Sequence, residues 1–554
     1  MKQKIYSVGL LAAAVVSAVF SSPRWGIAIF DWVEPICLLA FFRLGVVRRK
    51  ALWAFPALML AHYLASDGVA PFPGAVVLLL SIYQSLLQIA IYGADAWVNK
   101  KTDRFAATLF FPAIAVVNEY MNTVYGGGVW WSVANSQYQF GWLTQVASVT
   151  GIWGISFLLY WTASVVVWAV GGWTQGGWSR GGWTQGGWSR GGRARGGWKM
   201  GFGMYGTVMA LVVLWGCVRY EGGGRPGRTV KVAGVTVSLV GLYETFYSDY
   251  TGRRIVVDPR ASVTDPVMGL VGQAEASYVG SADTARFRHA AAVIREVNDS
   301  LFSLSQQAAD RGARIISWSE GNGIGWKAEE TALVERGRRF AAQNKVYLLM
   351  TLCLVHPGEI TPGKKFLENE AVLLGPDGDV LTRFHKNNPV PMVEASQPGD
   401  GIIPVLCTAV GKLAVSICYD ADQPRQMQQL GRKNADLLLL PSGDWSAISN
   451  FHAHMAVYRG IENGCSVFRE VSNGLSVAAD YRGKVVGSRD WFRDGRSLWV
   501  AELPVGHVNT IYDRIGDVLP WGCVAFTLLT VVLLTVRSRP TAVPLATDRM
   551  ALQP

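Results

Sequence analysis

Charged residues are scarce in this sequence of 554 residues. Asp, Glu, Lys and Arg together make up 16% of the chain, against roughly 25% in an ordinary soluble domain. Hydrophobic residues account for 50%, and there are 22 tryptophans. This composition excludes a disordered or fibrous protein and disfavours a purely water-soluble one.

Cysteine is also scarce. Seven cysteines in a chain of this length exclude a disulfide scaffold. No C-x-x-C pair or Cys/His cluster has the spacing of a metal site, so we predict no metal. Most of the cysteines lie in or beside apolar runs and are expected to be small buried residues. Cys418 differs, because a chemically mixed segment follows it.

Long apolar segments fill residues 1–220. They approach the ~20 residues that cross the hydrocarbon core of a bilayer, which predicts a seven-span helical membrane domain. A further span is predicted at 518–536, and the mixed composition of 229–505 between them is typical of a soluble domain. The predicted spans are 5–21, 26–47, 51–66, 72–93, 105–124, 143–170, 202–219 and 518–536.

Positive charge is concentrated in five short segments. Residues 1–4, 48–50, 99–104, 171–200 and 537–554 hold sixteen Lys or Arg and two Asp or Glu. The rest of the chain carries a net −3, although the whole carries +11. Basic loops face the cytoplasm, so we predict an integral membrane protein with both termini and the tail cytoplasmic. The soluble domain then lies on the opposite side, and no nucleic acid is needed to explain the basic charge.

A tandem repeat occupies 171–190, where GGWTQGGWSR occurs twice, followed by a decayed third copy. A solenoid needs longer units in larger number. We therefore interpret 171–200 as a Gly/Trp/Arg loop between two spans.

The soluble domain alternates predicted strands and helices, with hairpins between them, which indicates a layered α/β fold. Three reactive side chains close predicted strands: Glu320 after RIISWS, Lys386 after LTRFH and Cys418 after KLAVSI. Strand ends of one sheet can converge on one pocket. A thiol nucleophile, a carboxylate base and an ammonium that stabilises an oxyanion together suit acyl transfer.

The segments SWSEGNG, FHKNNPVPMVE and SICYDADQP resemble the three active-site motifs of the nitrilase (carbon–nitrogen hydrolase) superfamily. Within it, FPAIAVVNEY, NSQYQF and GIWGISFLL resemble the membrane part of the apolipoprotein N-acyltransferase family. The resemblance implies an α/β chain: a polytopic helical membrane domain and a four-layer α-β-β-α sandwich over 229–505.

The same resemblance implies roles for individual residues. Glu320 would be the general base, Lys386 the oxyanion stabiliser and Cys418 the nucleophile, with no cofactor. Glu394 would assist Lys386, and Tyr419 and Asp420 would shape the pocket. At Asp420 this chain departs from the family, which typically has Glu there, and WSEGN replaces the usual W-P-E-T/S.

The implied enzyme moves a fatty acyl chain from a phospholipid donor through a Cys418 thioester to an amine, such as the amino-terminal cysteine of a lipoprotein. In a bacterium it would reside in the plasma (inner) membrane. Two alternatives use the same nucleophile: a membrane-tethered amide or nitrile hydrolase with water as acceptor, and an acyltransferase with another amine acceptor. A third is a non-catalytic membrane scaffold, which the intact Glu, Lys and Cys set disfavours.

Overall fold

A computed structural model gives the fold of most of the chain. It describes residues 2–45, 47–102, 104–177, 197–222, 227–261, 264–281, 285–356, 365–495 and 497–536. Residues 178–196, which hold most of the repeat loop, and the predicted tail 537–554 lie outside the described residues.

The amino-terminal part is helical, and each of its seven predicted spans contains a helix. Among the described residues, five helices are long and apolar enough to cross a membrane: α1, α4, α8, α9 and, near the carboxyl end, α18. The eight-span topology itself stays a prediction. The helices of this part are α1 (Lys2–Phe20), α2 (Ala28–Leu44), α3 (Lys50–Ser66), α4 (Gly74–Lys101), α5 (Phe110–Val124), α6 (Gly141–Thr144), α7 (Ala147–Thr150), α8 (Ile152–Gly177) and α9 (Gly197–Gly222).

Two predicted spans differ in detail from the helices observed. The span predicted at 143–170 begins as a helix only at Ile152, because Gly151 has a positive φ of 67° that interrupts the helix. The one-turn helices α6 and α7 precede this break. The span predicted at 105–124 opens with a 3₁₀ turn, Phe105–Leu109, before α5. Hydropathy locates apolar segments but does not register such interruptions.

The carboxyl-terminal part contains two mixed β-sheets. The first has the order β15-β1-β2-β4-β5-β6 with β3 beside β4, and the second has the order β14-β13-β11-β9-β8-β7. A two-stranded pair, β10-β12, lies apart. The strands are β1 (Thr229–Val235), β2 (Ile315–Trp318), β3 (Gly323–Trp326), β4 (Tyr347–Val355), β5 (Leu367–Leu374), β6 (Val380–His385), β7 (Val405–Thr408), β8 (Gly411–Val415), β9 (Leu437–Leu439), β10 (Ser442–Gly443), β11 (Ser466–Arg469), β12 (Val471–Ser472), β13 (Leu475–Ala479), β14 (Val485–Asp490) and β15 (Leu498–Pro504).

Helices cover the outer faces of both sheets. Helix α12 illustrates why: its Val297, Leu301 and Ala308 recur at helical spacing and are buried on the first sheet. The remaining helices are α10 (Val240–Thr251), α11 (Pro266–Ser281), α12 (Arg288–Asp310), α13 (Glu330–Asn344), α14 (Pro424–Arg432), α15 (Ser449–Asn463), α16 (Trp491–Asp494), α17 (Ile511–Ile515) and α18 (Val518–Val536).

The layers follow from where the apolar side chains lie. Residues of both sheets, such as Leu349 and Leu437, share one buried cluster between the sheets. A second cluster joins the first sheet to α12 and α13, and a third joins the second sheet to α14 and α15. The predicted four-layer α-β-β-α sandwich, with a helical amino-terminal domain, is therefore confirmed.

Helix α15 packs against the helical domain and thereby joins the two parts of the chain. Its Tyr458 and Ile461 share a buried cluster with Ile152 and Trp153 of α8. The Ile152 backbone N–H donates to Glu462 Oε1 at 2.9 Å, and Tyr458 donates to the Ala134 carbonyl at 2.8 Å. These contacts hold the β-sandwich in a fixed position relative to the helical domain.

Candidate active site

Glu320, Lys386 and Cys418 converge at one edge of the sandwich. Glu320 follows β2, Lys386 follows β6 directly, and Cys418 opens a 3₁₀ turn after β8. Lys386 Nζ lies 2.8 Å from Glu320 Oε1. The structure thus brings together the three residues that the motifs single out, although they are far apart in sequence.

Two carboxylates hold Lys386, whose side chain is fully buried. Besides Glu320, its ammonium pairs with Glu394. Burial alone would lower the pKa of Lys386, but the charges of Glu320 and Glu394 hold that pKa well above its usual value. Asn369 donates to Glu320 Oε1 at 2.8 Å, which fixes the carboxylate beside Lys386. The ammonium is a permanent positive charge in the site.

Cys418 sits on a strained turn that presents its thiol. Its φ of 47° is in the left-handed region, which is unfavourable for a non-glycine residue. The Cys418 N–H donates to the Pro441 carbonyl at 2.9 Å, and Sγ lies 3.7 Å from the Gly443 carbonyl oxygen. These contacts with the segment after β9 hold the Cys418 backbone in this conformation and fix the position of the sulfur.

The thiol of Cys418 is protonated at rest. Burial, followed by the charge of Glu320, raises the pKa of Cys418 well above its usual value, and the opposing effect of Lys386 is smaller. A nucleophile of this kind needs a base that removes its proton during attack. Glu320 is the carboxylate placed for that task.

Tyr419 contributes to the cavity wall, whereas Asp420 does not. Tyr419 lines the cavity described below and donates to the Gly126 carbonyl of the helical domain at 2.9 Å. Asp420 is fully buried and accepts from the Asn388 N–H at 2.7 Å and from the Ile417 N–H at 3.2 Å. It ties the segment after Lys386 to the nucleophile turn and does not line the cavity.

A buried ionic network lies behind the nucleophile. His452 Nδ1 lies 2.7 Å from Asp444 Oδ1, and His452 Nε2 lies 3.2 Å from Asp422 Oδ1. Arg469 Nη2 pairs with Asp444 at 2.8 Å. Ligand-type atoms of Cys418, Asp444 and His452 lie within 4.8 Å of one another. These three side chains could bind a soft divalent metal ion only if His452 lost its proton.

His452 is not among the residues predicted from the sequence. The signal for His452 was absent, because its partners come from two other elements. Burial would lower the pKa of His452, but Asp422 and Asp444 raise it to about 9. The imidazole is therefore a cation at neutral pH. Together with Arg469, it balances the charges of Asp422 and Asp444.

We expect His452 to make the stability of the protein pH-dependent. Because its pKa is raised from 6.5 to about 9 on folding, its contribution is complete below about pH 6.5 and is lost as the pH rises through about 9. The contribution is about 3 kcal/mol. Thermal unfolding in detergent micelles at pH 6 and about 9.5 should show a difference between the wild type and His452→Gln that shrinks at the higher pH. An equal difference at both values would contradict the assignment.

A cavity of about 800 Å³ opens in front of Cys418 and extends between the two domains. One wall comes from the helical domain, a second from the α10–α11 hairpin, and Glu320 and Cys418 lie at the inner end. Aromatic and aliphatic side chains dominate the walls, among them Val77, Leu80, Tyr83, Trp130, Trp131, Leu242, Phe246 and Tyr278. A long apolar group therefore fits between the membrane-facing helices and the thiol.

Two family models match the chain. The model described as carbon-nitrogen hydrolase matches residues 275–512, and that described as apolipoprotein N-acyltransferase N-terminal domain matches residues 12–165. Residues 166–274, which include α10 and most of α11, lie between the two matched ranges.

Similar proteins are found over the whole chain and over its catalytic part. An apolipoprotein N-acyltransferase of Geobacter metallireducens is 24% identical over 94% of this chain and 93% of its own. A formamidase of Bacillus cereus is 33% identical over 19% of this chain and 31% of its own. Among solved structures, an amidase from Nesterenkonia sp. is 18% identical, with a TM-score of 0.34 over 51% of this chain and 92% of the amidase.

Proposed function

This chain belongs to the apolipoprotein N-acyltransferases of the nitrilase superfamily, and we propose that it moves a fatty acyl chain from a phospholipid to the amino-terminal cysteine of a lipoprotein. The observation that carries the proposal is the apolar cavity that connects the helical domain with Cys418. A hydrolase of small soluble amides needs no such path from the membrane.

The first half-reaction forms a thioester. Glu320 accepts the proton of Cys418 as the sulfur attacks the carbonyl carbon of a phospholipid ester. The oxyanion that forms is stabilised by the Lys386 ammonium. When the intermediate collapses, the carbon–oxygen bond breaks, the lysophospholipid oxygen takes the proton from Glu320, and the acyl chain remains on sulfur.

The second half-reaction forms an amide. The amine nitrogen attacks the thioester carbonyl carbon, again with the oxyanion beside Lys386. Glu320 takes one proton from nitrogen and returns it to the departing Cys418 sulfur. An acceptor that arrives as an ammonium releases one further proton to solvent before it attacks. We assign Glu394 the role of keeping Lys386 charged, and Asp420 the role of positioning the segment that carries Lys386.

Contacts at the domain boundary support a catalytic domain on the non-cytoplasmic side. Trp445 donates to the Gly68 carbonyl at 2.7 Å, and Tyr419 donates to the Gly126 carbonyl at 2.9 Å. These carbonyls lie in loops with little positive charge. The basic loops 48–50 and 99–104 connect the other ends of the same helices. By the positive-inside rule, those basic loops and both termini are then cytoplasmic.

Labelled phospholipid tests the proposal directly. The purified enzyme, mixed with vesicles that carry a labelled acyl chain, should acquire one acyl group on Cys418, and Cys418→Ala should acquire none. Addition of a diacylglyceryl peptide with a free amino terminus should then yield labelled amide. Release of free fatty acid without amide would indicate a hydrolase, and wild-type transfer by Cys418→Ala would reject the mechanism.

A further inference from the structure

The α10–α11 hairpin, formed by Val240–Thr251 and Pro266–Ser281, brings an unpaired carboxylate to the wall of the active-site cavity. Glu275 is on α11, and its neighbours Ala274 and Tyr278 belong to an apolar cluster with Leu242 and Phe246 of α10. Glu275 itself lines the cavity. A carboxylate in such a wall is costly unless something compensates its charge.

No group among the described residues provides that compensation. Of the residues that the structure describes, none donates a hydrogen bond to Glu275 or forms an ion pair with it. Burial raises the pKa of Glu275 to about 7, as expected for a carboxyl group without a cation. Burial, followed by the charges of Glu275, Glu394 and Glu320, raises the pKa of Cys353 to about 12, so Glu275 acts on the same thiol as the two carboxylates that hold Lys386.

The cavity as a whole favours a cation. Its described lining includes four carboxylates, those of Glu275, Glu320, Glu394 and Asp444, against one cation, His452, and no lysine or arginine. Glu320 and Glu394 are paired with Lys386, and Asp444 with Arg469 and His452. Glu275 is therefore the lining carboxylate that remains for a ligand.

We infer that Glu275 binds a primary ammonium group that a substrate carries into the cavity. The inference rests on the proposed function, in which two molecules can bring such a group: the acceptor, through its α-amine, and the donor, through an ethanolamine headgroup. A charge-assisted hydrogen bond in an apolar wall is among the stronger polar interactions. Glu275 would thus select an amine-bearing substrate by charge, while Glu320, Lys386 and Cys418 perform the chemistry.

Glu275→Gln separates the two sources when each half-reaction is measured alone. The first assay follows the Cys418 thioester by intact mass, with phosphatidylethanolamine or phosphatidylglycerol as donor. The second follows transfer from the preformed thioester to a diacylglyceryl peptide with a free amino terminus. A loss of about ten-fold or more with phosphatidylethanolamine only identifies the donor headgroup. A comparable rise in KM for the peptide, with little change in kcat, identifies the acceptor.

Controls separate binding from folding. Glu275→Gln is nearly isosteric and removes no ion pair, so its melting temperature should match the wild type, and Glu275→Asp should recover part of the activity. Glu296→Gln removes a carboxylate from an exposed position on α12, outside the cavity lining, and should change neither half-reaction. Changes below about two-fold in both assays, or equal losses with both donors and the peptide, would overturn the inference. A wild type that forms no thioester would reject the proposed function itself.

Discussion

Glu320→Gln is expected to lower the rate of Cys418 thioester formation by about 10³-fold. The amide keeps the shape of the carboxylate but cannot take a proton from sulfur. Because the pKa of Cys418 is held well above its usual value, there is no reserve of thiolate that could attack without a base. The loss should therefore fall on the acylation step itself and leave the binding of phospholipid intact.

Single-turnover acylation with labelled phospholipid measures this step. Glu335→Gln offers a matched control, since Glu335 is a glutamate on α13 that is half exposed and pairs with Arg338, and its rate should equal that of the wild type. An acylation rate within about ten-fold of the wild type would show that another group acts as the base.

The reactive centre was predictable because its residues lie at the ends of strands. Glu320, Lys386 and Cys418 each follow a predicted strand, and the geometry of a sheet brings such ends to a common edge. The resemblance to known motifs then supplied their roles. The structure adds pairings that sequence spacing cannot express, such as the hydrogen bond that Asn369 donates to Glu320.

What could not be predicted depends on contacts between distant elements. His452 lies on α15, and its partners Asp422 and Asp444 belong to two separate turns. Nothing in the local sequence distinguishes this histidine from the neighbouring His454. The hairpin of α10 and α11 was equally inaccessible, because its polar composition hides the apolar face that forms the cavity wall. Helix ends at glycines such as Gly151 depend on backbone angles rather than hydropathy.

Lys386→Met is expected to abolish both half-reactions, with a loss of about 10³-fold or more. Methionine fills similar space but presents no charge to the oxyanion. Lys386 also opposes the rise in the pKa of Cys418, so its removal makes the thiol harder to deprotonate. In addition, Glu320 and Glu394 would face each other without a cation, which should destabilise the fold by about 3 kcal/mol.

A double variant separates the electrostatic role of Lys386 in folding from its role in catalysis. Lys386→Met with Glu394→Gln removes one of the two uncompensated charges, so thermal stability should recover in large part while acyl transfer stays absent. Glu394→Gln alone should retain measurable transfer, because Lys386 still contacts Glu320 at 2.8 Å. The two substitutions should therefore be non-additive in thermal stability but not in acyl transfer. That result is expected if the fold holds the Lys386 ammonium in place for the oxyanion. Recovery of transfer in the double variant would mean that Lys386 only neutralises its two neighbours, and the oxyanion would then need another donor.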